Sequence, residues 1–256
     1  MPAQNQSRRK PRKERLDVLL VERGLAESRQ RAQARILAGE VFVDGQKMTK
    51  AGAGVASDAR IEIAGGKLRY ASRAGLKLEG AFEDFGVDPA GKMCLDAGSS
   101  TGGFTDCLLQ RGAKRVYAAD VTTSQLAWKL QKDTRVVQIE KNVRYITPED
   151  VSGPVELITL DLSFISVAKV LPQIAPLAKP GAEMLILVKP QFELERKDVG
   201  KGGLVRDAAQ HRKAIERVRA AAEQAGWHVL GERASRITGA DGNQEFFLHA
   251  RLEPVE

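Results

Sequence analysis

From Met93 onward the chain alternates short apolar runs with amphipathic stretches, and few architectures accept that order. The runs are Met93-Cys94-Leu95, Val116 to Ala119, Val136 to Ile139, Leu157 to Leu160 and Met184 to Val188; helix-like stretches begin near Phe104, Ser124, Val167 and Asp207. Short runs with no polar alternation suit strands buried between two helical layers, so the segment predicts an α/β domain with a parallel sheet covered on both faces. Such sheets bind ligands outside the carboxyl ends of their strands. The residues that follow each run are therefore the candidates for chemistry.

Directly after the first run comes Asp96-Ala97-Gly98-Ser99-Ser100-Thr101-Gly102-Gly103-Phe104, opening a helix. Glycines there let the backbone turn sharply and approach a ligand closely. The spacing is not Gly-x-Gly-x-x-Gly, and no Gly-Lys-Ser/Thr follows, which weakens dehydrogenase and NTPase readings. Asp120 closes the second run 24 positions after Asp96. A carboxylate there accepts hydrogen bonds from both ribose hydroxyls of an adenosine, although a strand-end Asp also serves simply to cap the next helix. A second glycine segment, Asp198-Val199-Gly200-Lys201-Gly202-Gly203, is followed by Leu204 and not by a magnesium-binding hydroxyl, so it predicts a mobile loop near the substrate.

Charge is uneven along the 256 residues. Of a net +7, residues 1–80 hold 17 Lys and Arg against 9 Asp and Glu, and the remainder sums to about −1. A concentrated cationic segment recruits a polyanion, whereas a near-neutral remainder suits a scaffold for chemistry. Residues 1–14 carry Arg8, Arg9, Lys10, Arg12 and Lys13 among polar neighbours and predict a disordered basic arm. Leu16, Leu19 and Leu20 recur at helical spacing before Gly24, and Ser28 caps a second helix that runs to Gly39 with Ala32 and Ile36 on one face. Val41 and Val43 alternate before the turn Asp44-Gly45, and Ile61 and Ile63 before Ala64-Gly65-Gly66. The expected organisation is an α+β unit at 15–66, a linker and first helix at 67–80, and a larger domain at 81–256.

Cys94 and Cys107 have no Cys-x-x-Cys or histidine partner, and His211, His228 and His249 are scattered, so neither a disulfide scaffold nor a metal site is expected. No run approaches the ~18 apolar residues of a membrane span, and the N-terminus lacks an apolar signal core. A cytoplasmic monomer with no membrane partner is the expectation.

Two of these patterns resemble known families. The run from Arg15 through Leu-Asp-Val-Leu-Leu, Gly24-Leu25, Ser28-Arg29, Ile36, Gly39 and Val41 to Gly45 is similar to the S4 RNA-binding module, which implies Arg15, Arg29 and Lys50 against RNA phosphates. The glycine turn resembles the S-adenosylmethionine loop of FtsJ-type ribose methyltransferases, Asp-x-Gly-x-x-x-Gly-Gly, with Thr101 where typical members have Pro and the TlyA branch has Thr. That likeness implies an S-adenosyl-L-methionine cofactor held by Asp96, Gly98, Ser99, Ser100, Thr101, Gly102, Gly103, Phe104, Asp120 and Asp161.

Methyl transfer to a ribose hydroxyl needs an in-line displacement, with a weak nucleophile held in place and relieved of its proton. FtsJ-type enzymes use a Lys-Asp-Lys-Glu tetrad. The resemblance places it on Lys77 in Ser72-Arg73-Ala74-Gly75-Leu76-Lys77, on Asp161 in Leu160-Asp161-Leu162-Ser163-Phe164, on Lys189 in Leu187-Val188-Lys189-Pro190-Gln191-Phe192-Glu193, and on Glu245 after Gly242-Asn243-Gln244. Lys189 is then the base or activator of the 2′-hydroxyl, with the two carboxylates orienting the ammonium groups. Phe164 either stacks on the target base or, more commonly for a phenylalanine, sits in the core.

From about Arg15 to Leu252 the chain thus resembles the TlyA-type family of two-domain RNA 2′-O-methyltransferases. The resemblance implies a Rossmann-like, S-adenosylmethionine-dependent methyltransferase fold: a mostly parallel seven-stranded sheet with its last strand antiparallel, plus a small N-terminal α+β RNA-binding domain. It implies 2′-O-methylation of cytidine in ribosomal RNA, with that RNA or a ribosomal subunit, and not DNA, as partner. Members are often labelled haemolysins, but no segment here is long and apolar enough to breach a bilayer unaided. An assembly factor with an inactive methyltransferase domain is the third reading, disfavoured by the complete tetrad.

Overall fold

The computed structural model describes residues 13–26, 28–63, 69–239 and 241–253, and the chain divides into two compact units, Met1–Leu68 and Arg69–Glu256. Most of the expected basic arm lies outside the described residues; its last two members, Lys13 and Glu14, belong to a strand.

The first unit runs β1 (Lys13–Arg15), α1 (Leu16–Glu22), α2 (Arg29–Leu37), β2 (Val41–Val43), β3 (Gln46–Met48), β4 (Gly54–Ala56) and β5 (Ile61–Ile63). The side chain of Ser28 caps α2 by accepting from the Arg31 amide, as its position before a helical period requires. Asp44 and Gly45 both adopt positive φ, the twist that a two-residue hairpin between β2 and β3 demands. β5 pairs with the other edge of β2, while β1 pairs with β4 in a separate ribbon. Leu16, Leu20, Ala32, Ile36 and Val41 are fully buried between helices and strands.

One charge lies within that small core. Asp17 is completely buried, and its carboxylate accepts from Arg15 (3.0 Å), Arg29 (2.9 Å) and Gln33 (2.8 Å). The Arg15 guanidinium, aided by Gln33 and Arg29, holds this carboxyl well below the usual carboxylate range. A carboxyl whose acidity is increased by folding stabilises above its unfolded titration range and loses that contribution as pH falls below it. Asp17→Ala is expected to cost about 1.5–3 kcal/mol, the range for hydrogen bonds to a charged group, read as a lower thermal midpoint at neutral pH. The deficit should shrink toward pH 3; an equal deficit at both pH values would contradict the assignment.

The second unit runs α3 (Ala74–Phe85), β6 (Met93–Ala97), α4 (Gly103–Gln110), β7 (Arg115–Asp120), α5 (Trp128–Gln131), β8 (Val136–Glu140), β9 (Val155–Leu160), α6 (Leu171–Ile174), β10 (Ala178–Val188), α7 (Pro190–Glu193), α8 (Ala208–Gln224), β11 (Trp227–Ala234) and β12 (Phe246–Leu252). Each of the five apolar runs forms a strand. The sheet order is β11-β12-β10-β9-β6-β7-β8, with β12 antiparallel to both neighbours and the pairs from β10 to β8 parallel. The strand number and the antiparallel last strand are those of the expected methyltransferase sheet.

Residues of both parities along the strands are buried. Leu95, Ile158 and Ile186 pack with α6 and α8, while Cys94, Leu157 and Leu185 pack with α3 and α4. The helices expected near Ser124 and Val167 are reduced to 3-10 turns followed by four-residue helices, α5 and α6; prolines 172 and 176 keep the latter from lengthening. Strand order reverses between β6 and β9, and a crevice opens there at the carboxyl edge of the sheet.

Candidate active site

The crevice is floored by the glycine turn. Gly98 and Gly102 hold φ of +88° and +89°, and Ser100 joins them at 46°. The amides of Gly98 and Ser99 both donate to the Ala119 carbonyl (2.8 and 3.1 Å), which fixes the turn to the end of β7. A Cβ on Gly98 would lie 2.3 Å from the Asp161 carbonyl oxygen, and one on Gly103 would strike Ser72 at the entry to α3. Glycine is therefore required by close backbone approach as well as by φ. Ser99 is buried, and its hydroxyl has no partner.

Asp96 lies beneath the turn. It is the fourth residue of β6, fully buried, and its two oxygens accept from Thr105 (2.6 Å) and Thr159 (3.1 Å). Burial pushes its carboxyl up to about 7. It supports the turn from below, where Thr105 of α4 meets it.

Asp120 lies at the mouth of a cavity of about 910 Å³ that extends from Gly98 and Ser100 past Asn142 and Val143 to Phe164 and Gln191. One carboxylate oxygen of Asp120 accepts from the Ser100 amide (2.9 Å) and the other from the Thr122 amide (3.3 Å). Both oxygens retain a lone pair for a diol, and Val121 and Val143 beside them offer apolar surface to a flat ring. A smaller cavity of about 140 Å³ is lined by the turn together with Asp161, Ser163 and Lys189.

The four tetrad positions form two ion pairs. Lys77 of α3 meets Glu245 at 2.5 Å, and Lys189, just past β10, meets Asp161, just past β9, at 2.6 Å; all four side chains are at most 15% exposed. Val188 and Phe246 are the last paired residues of β10 and β12, so Lys189 and Glu245 occupy facing positions one residue beyond them. The register of two antiparallel strands thus sets the pairs side by side. Lys189 also donates to the Ser163 hydroxyl at 2.9 Å. An ammonium has three N–H donors, so at least one remains for an incoming oxygen.

Thr101 and Phe104 line the smaller cavity, whereas Gly102 packs against Leu126 and Leu130 and shapes the turn. Arg15 and Arg29 share the Asp17 carboxylate, and Lys50 is exposed. Ser163, Gln191, Asn142 and Val143 were not singled out by sequence; only their positions after strand ends pointed to them. Phe164 is 91% exposed with φ 64°, its ring 5.4 Å from that of Phe192, so the core reading does not hold. The glycine segment after Asp198 is tied down at its end: Asn243 accepts from the Val205 amide and donates to the Gly203 carbonyl, both at 2.9 Å. Cys94 and Cys107 are buried and unbridged. Among the described residues, no acid, His or Cys cluster could hold a metal and no helix is long and apolar enough to cross a membrane.

A six-to-one parallel sheet, a glycine turn after its first strand and an acid after its second define a Rossmann-like methyltransferase. The FtsJ-like methyltransferase family matches residues 70–252 and the S4 domain residues 14–61. The chain belongs to the FtsJ-like methyltransferase family, among the S4-bearing members that include the TlyA proteins. It is 46% identical over 244 residues to the 16S/23S rRNA (cytidine-2′-O)-methyltransferase TlyA of Mycobacterium tuberculosis, covering 94% of this chain and 91% of that protein. Hemolysin A of Brachyspira hyodysenteriae is 44% identical over 237 residues, covering 92% and 98%. A solved structure from Streptococcus thermophilus described as a hemolysin superposes with a TM-score of 0.74 at 42% identity, covering 94% of this chain and 89% of that one.

Proposed function

We propose that this protein transfers a methyl group from S-adenosylmethionine to the 2′-hydroxyl of cytidine in ribosomal RNA. The observation that carries the reading is the convergence of the Lys189–Asp161 and Lys77–Glu245 pairs at the carboxyl edge of the sheet, with Asp161 against Gly98 of the glycine turn. The cofactor, when bound, supplies an electrophilic methyl on a sulfonium. The residues present fit it: Asp120 offers free lone pairs to a ribose diol, and Ser99, whose buried hydroxyl has no partner, lines the smaller cavity.

Asp161 and Ser163 fix the Lys189 nitrogen and leave at least one N–H free for the acceptor oxygen. In that position Lys189 would orient the ribose oxygen and, its own proton having passed to solvent water, would take the proton that the hydroxyl gives up when the bound cofactor supplies its methyl group. Glu245 holds Lys77 beside this pair. The exposed Phe164 is available to stack on an unstacked base. In the S4 unit, Asp17 holds the Arg15 and Arg29 side chains half exposed, as phosphate contacts require. The relatives named for rRNA methylation support ribosomal RNA as the polyanion.

The test is transfer of labelled methyl from S-adenosylmethionine to deproteinised ribosomal RNA and to ribosomal subunits, followed by digestion to nucleosides. Label is expected in 2′-O-methylcytidine. Label on a base, or none with any of these substrates, would overturn the proposal.

A further inference from the structure

Gln191 lies in α7, two residues after Lys189 and next to Phe192. Its side-chain Oε1 is buried without any hydrogen-bond partner, and it lines the larger cavity together with Phe164 and Phe192. The side chains next to it are satisfied: the Glu193 carboxylate accepts from the Ser166 hydroxyl (2.5 Å) and the Val167 amide (2.7 Å), and Arg217 donates to the Glu193 carbonyl at 2.8 Å. A buried acceptor with no donor is rare in folded proteins, and in a residue that lines a cavity it is explained when a ligand brings the donor. Ser163, which takes a hydrogen bond from Lys189, is the chain neighbour of Phe164. Phe164 and Gln191 therefore lie within two residues along the chain of Ser163 and Lys189, where the ribose oxygen is activated.

We infer that Gln191 reads the Watson–Crick edge of the target base while Phe164 and Phe192 contact its face. A cytosine offers an amino N–H to the Gln191 oxygen and a ring-nitrogen acceptor to the Gln191 amide N–H, a two-point match of the kind that discriminates bases. Uracil presents the reverse order, a ring N–H donor and a carbonyl acceptor, and meets the amide only if Oε1 leaves its buried position. The inference rests on the ribose-transfer reading above and adds the source of its preference for cytidine.

The experiment measures transfer to an RNA carrying the methylated site and to the same RNA with that cytidine replaced by uridine, for the unsubstituted protein, Gln191→Leu and Gln191→Glu. Cofactor affinity is measured alongside by calorimetry. Both variants are expected to keep cofactor affinity within about twofold, to lose roughly 10- to 100-fold in kcat/KM on the cytidine RNA, and to show a cytidine-to-uridine ratio reduced by about tenfold. Gln191→Glu should not recover the ratio, because a carboxylate has no N–H to offer the ring nitrogen. An unchanged ratio in both variants would overturn the inference while leaving the transfer reading intact, and so would a loss of cofactor affinity matching the loss of transfer, which would put Gln191 in the cofactor site. Failure of the unsubstituted protein to transfer methyl would remove both.

Discussion

Lys189→Ala is expected to bind S-adenosylmethionine as tightly as the unsubstituted protein and to lose methyl transfer by roughly 10²- to 10⁴-fold, the range that a positioned proton-transfer group supplies. Its ammonium is buried with the Asp161 carboxylate at 2.6 Å and the Ser163 hydroxyl at 2.9 Å, a geometry that leaves at least one N–H free. Truncation removes the only side chain of the Lys189–Asp161 pair that can donate a hydrogen bond to the ribose oxygen. It also leaves Asp161 without its counter-ion, and some loss of thermal stability should accompany the substitution. Lys189→Arg separates the two effects: a guanidinium keeps the charge beside Asp161 but holds its proton throughout the physiological range, so stability should return and activity should not. Lys77→Ala provides the comparison at the second pair, where the nitrogen is committed to Glu245. Single-turnover transfer with saturating cofactor is the decisive readout. Activity of Lys189→Ala within tenfold of the unsubstituted protein would end its assignment as activator.

The framework of the second unit was legible because its strands are buried on both faces, which writes them as uninterrupted apolar runs. β11 was not recognised: it is an edge strand in which exposed His228 and Leu230 alternate with buried Trp227 and Val229 before the alternation is lost from Gly231 on, so its signal is mixed. β1 and β4 escaped for a different reason, since three-residue strands pairing across some forty positions leave no local pattern. Within the site, residue types at strand ends could be read, but their partnerships could not. Lys77 and Glu245 are separated by 168 positions, and only the β10–β12 register brings Glu245 to Lys189. The partners of Asp96 were not legible either: it lies inside β6, not past its end, and its carboxylate meets Thr105 and Thr159. Phe164 was misleading. Its hydrophobicity argues for the core, yet a left-handed backbone turns it outward, and that conformation depends on the packing of the loop after β9.

Gly98→Ala should have the second large effect, through one added methyl group. At φ +88° any side chain incurs left-handed strain of about 1–2 kcal/mol. Gly98 carries a further penalty, because its Cβ would stand 2.3 Å from the Asp161 carbonyl oxygen, a backbone atom that cannot rotate away. The collision must be relieved by moving the turn away from β9 or Asp161 away from Lys189, and either movement damages the site. Cofactor affinity is accordingly expected to fall by roughly 100-fold or more, since backbone approach to the ligand is what a glycine turn provides. Gly86→Ala isolates the strain term: Gly86 caps α3 at φ +68° with nothing within 4 Å of a Cβ, so it should lose about 1–2 kcal/mol of stability and keep its affinity for the cofactor. Calorimetric titration and thermal denaturation of both variants distinguish the two costs. If Gly98→Ala bound cofactor as well as Gly86→Ala does, the close approach of the turn to Asp161 would have no part in forming the cofactor site, and the convergence that unites donor and acceptor chemistry in this crevice would have to be drawn elsewhere.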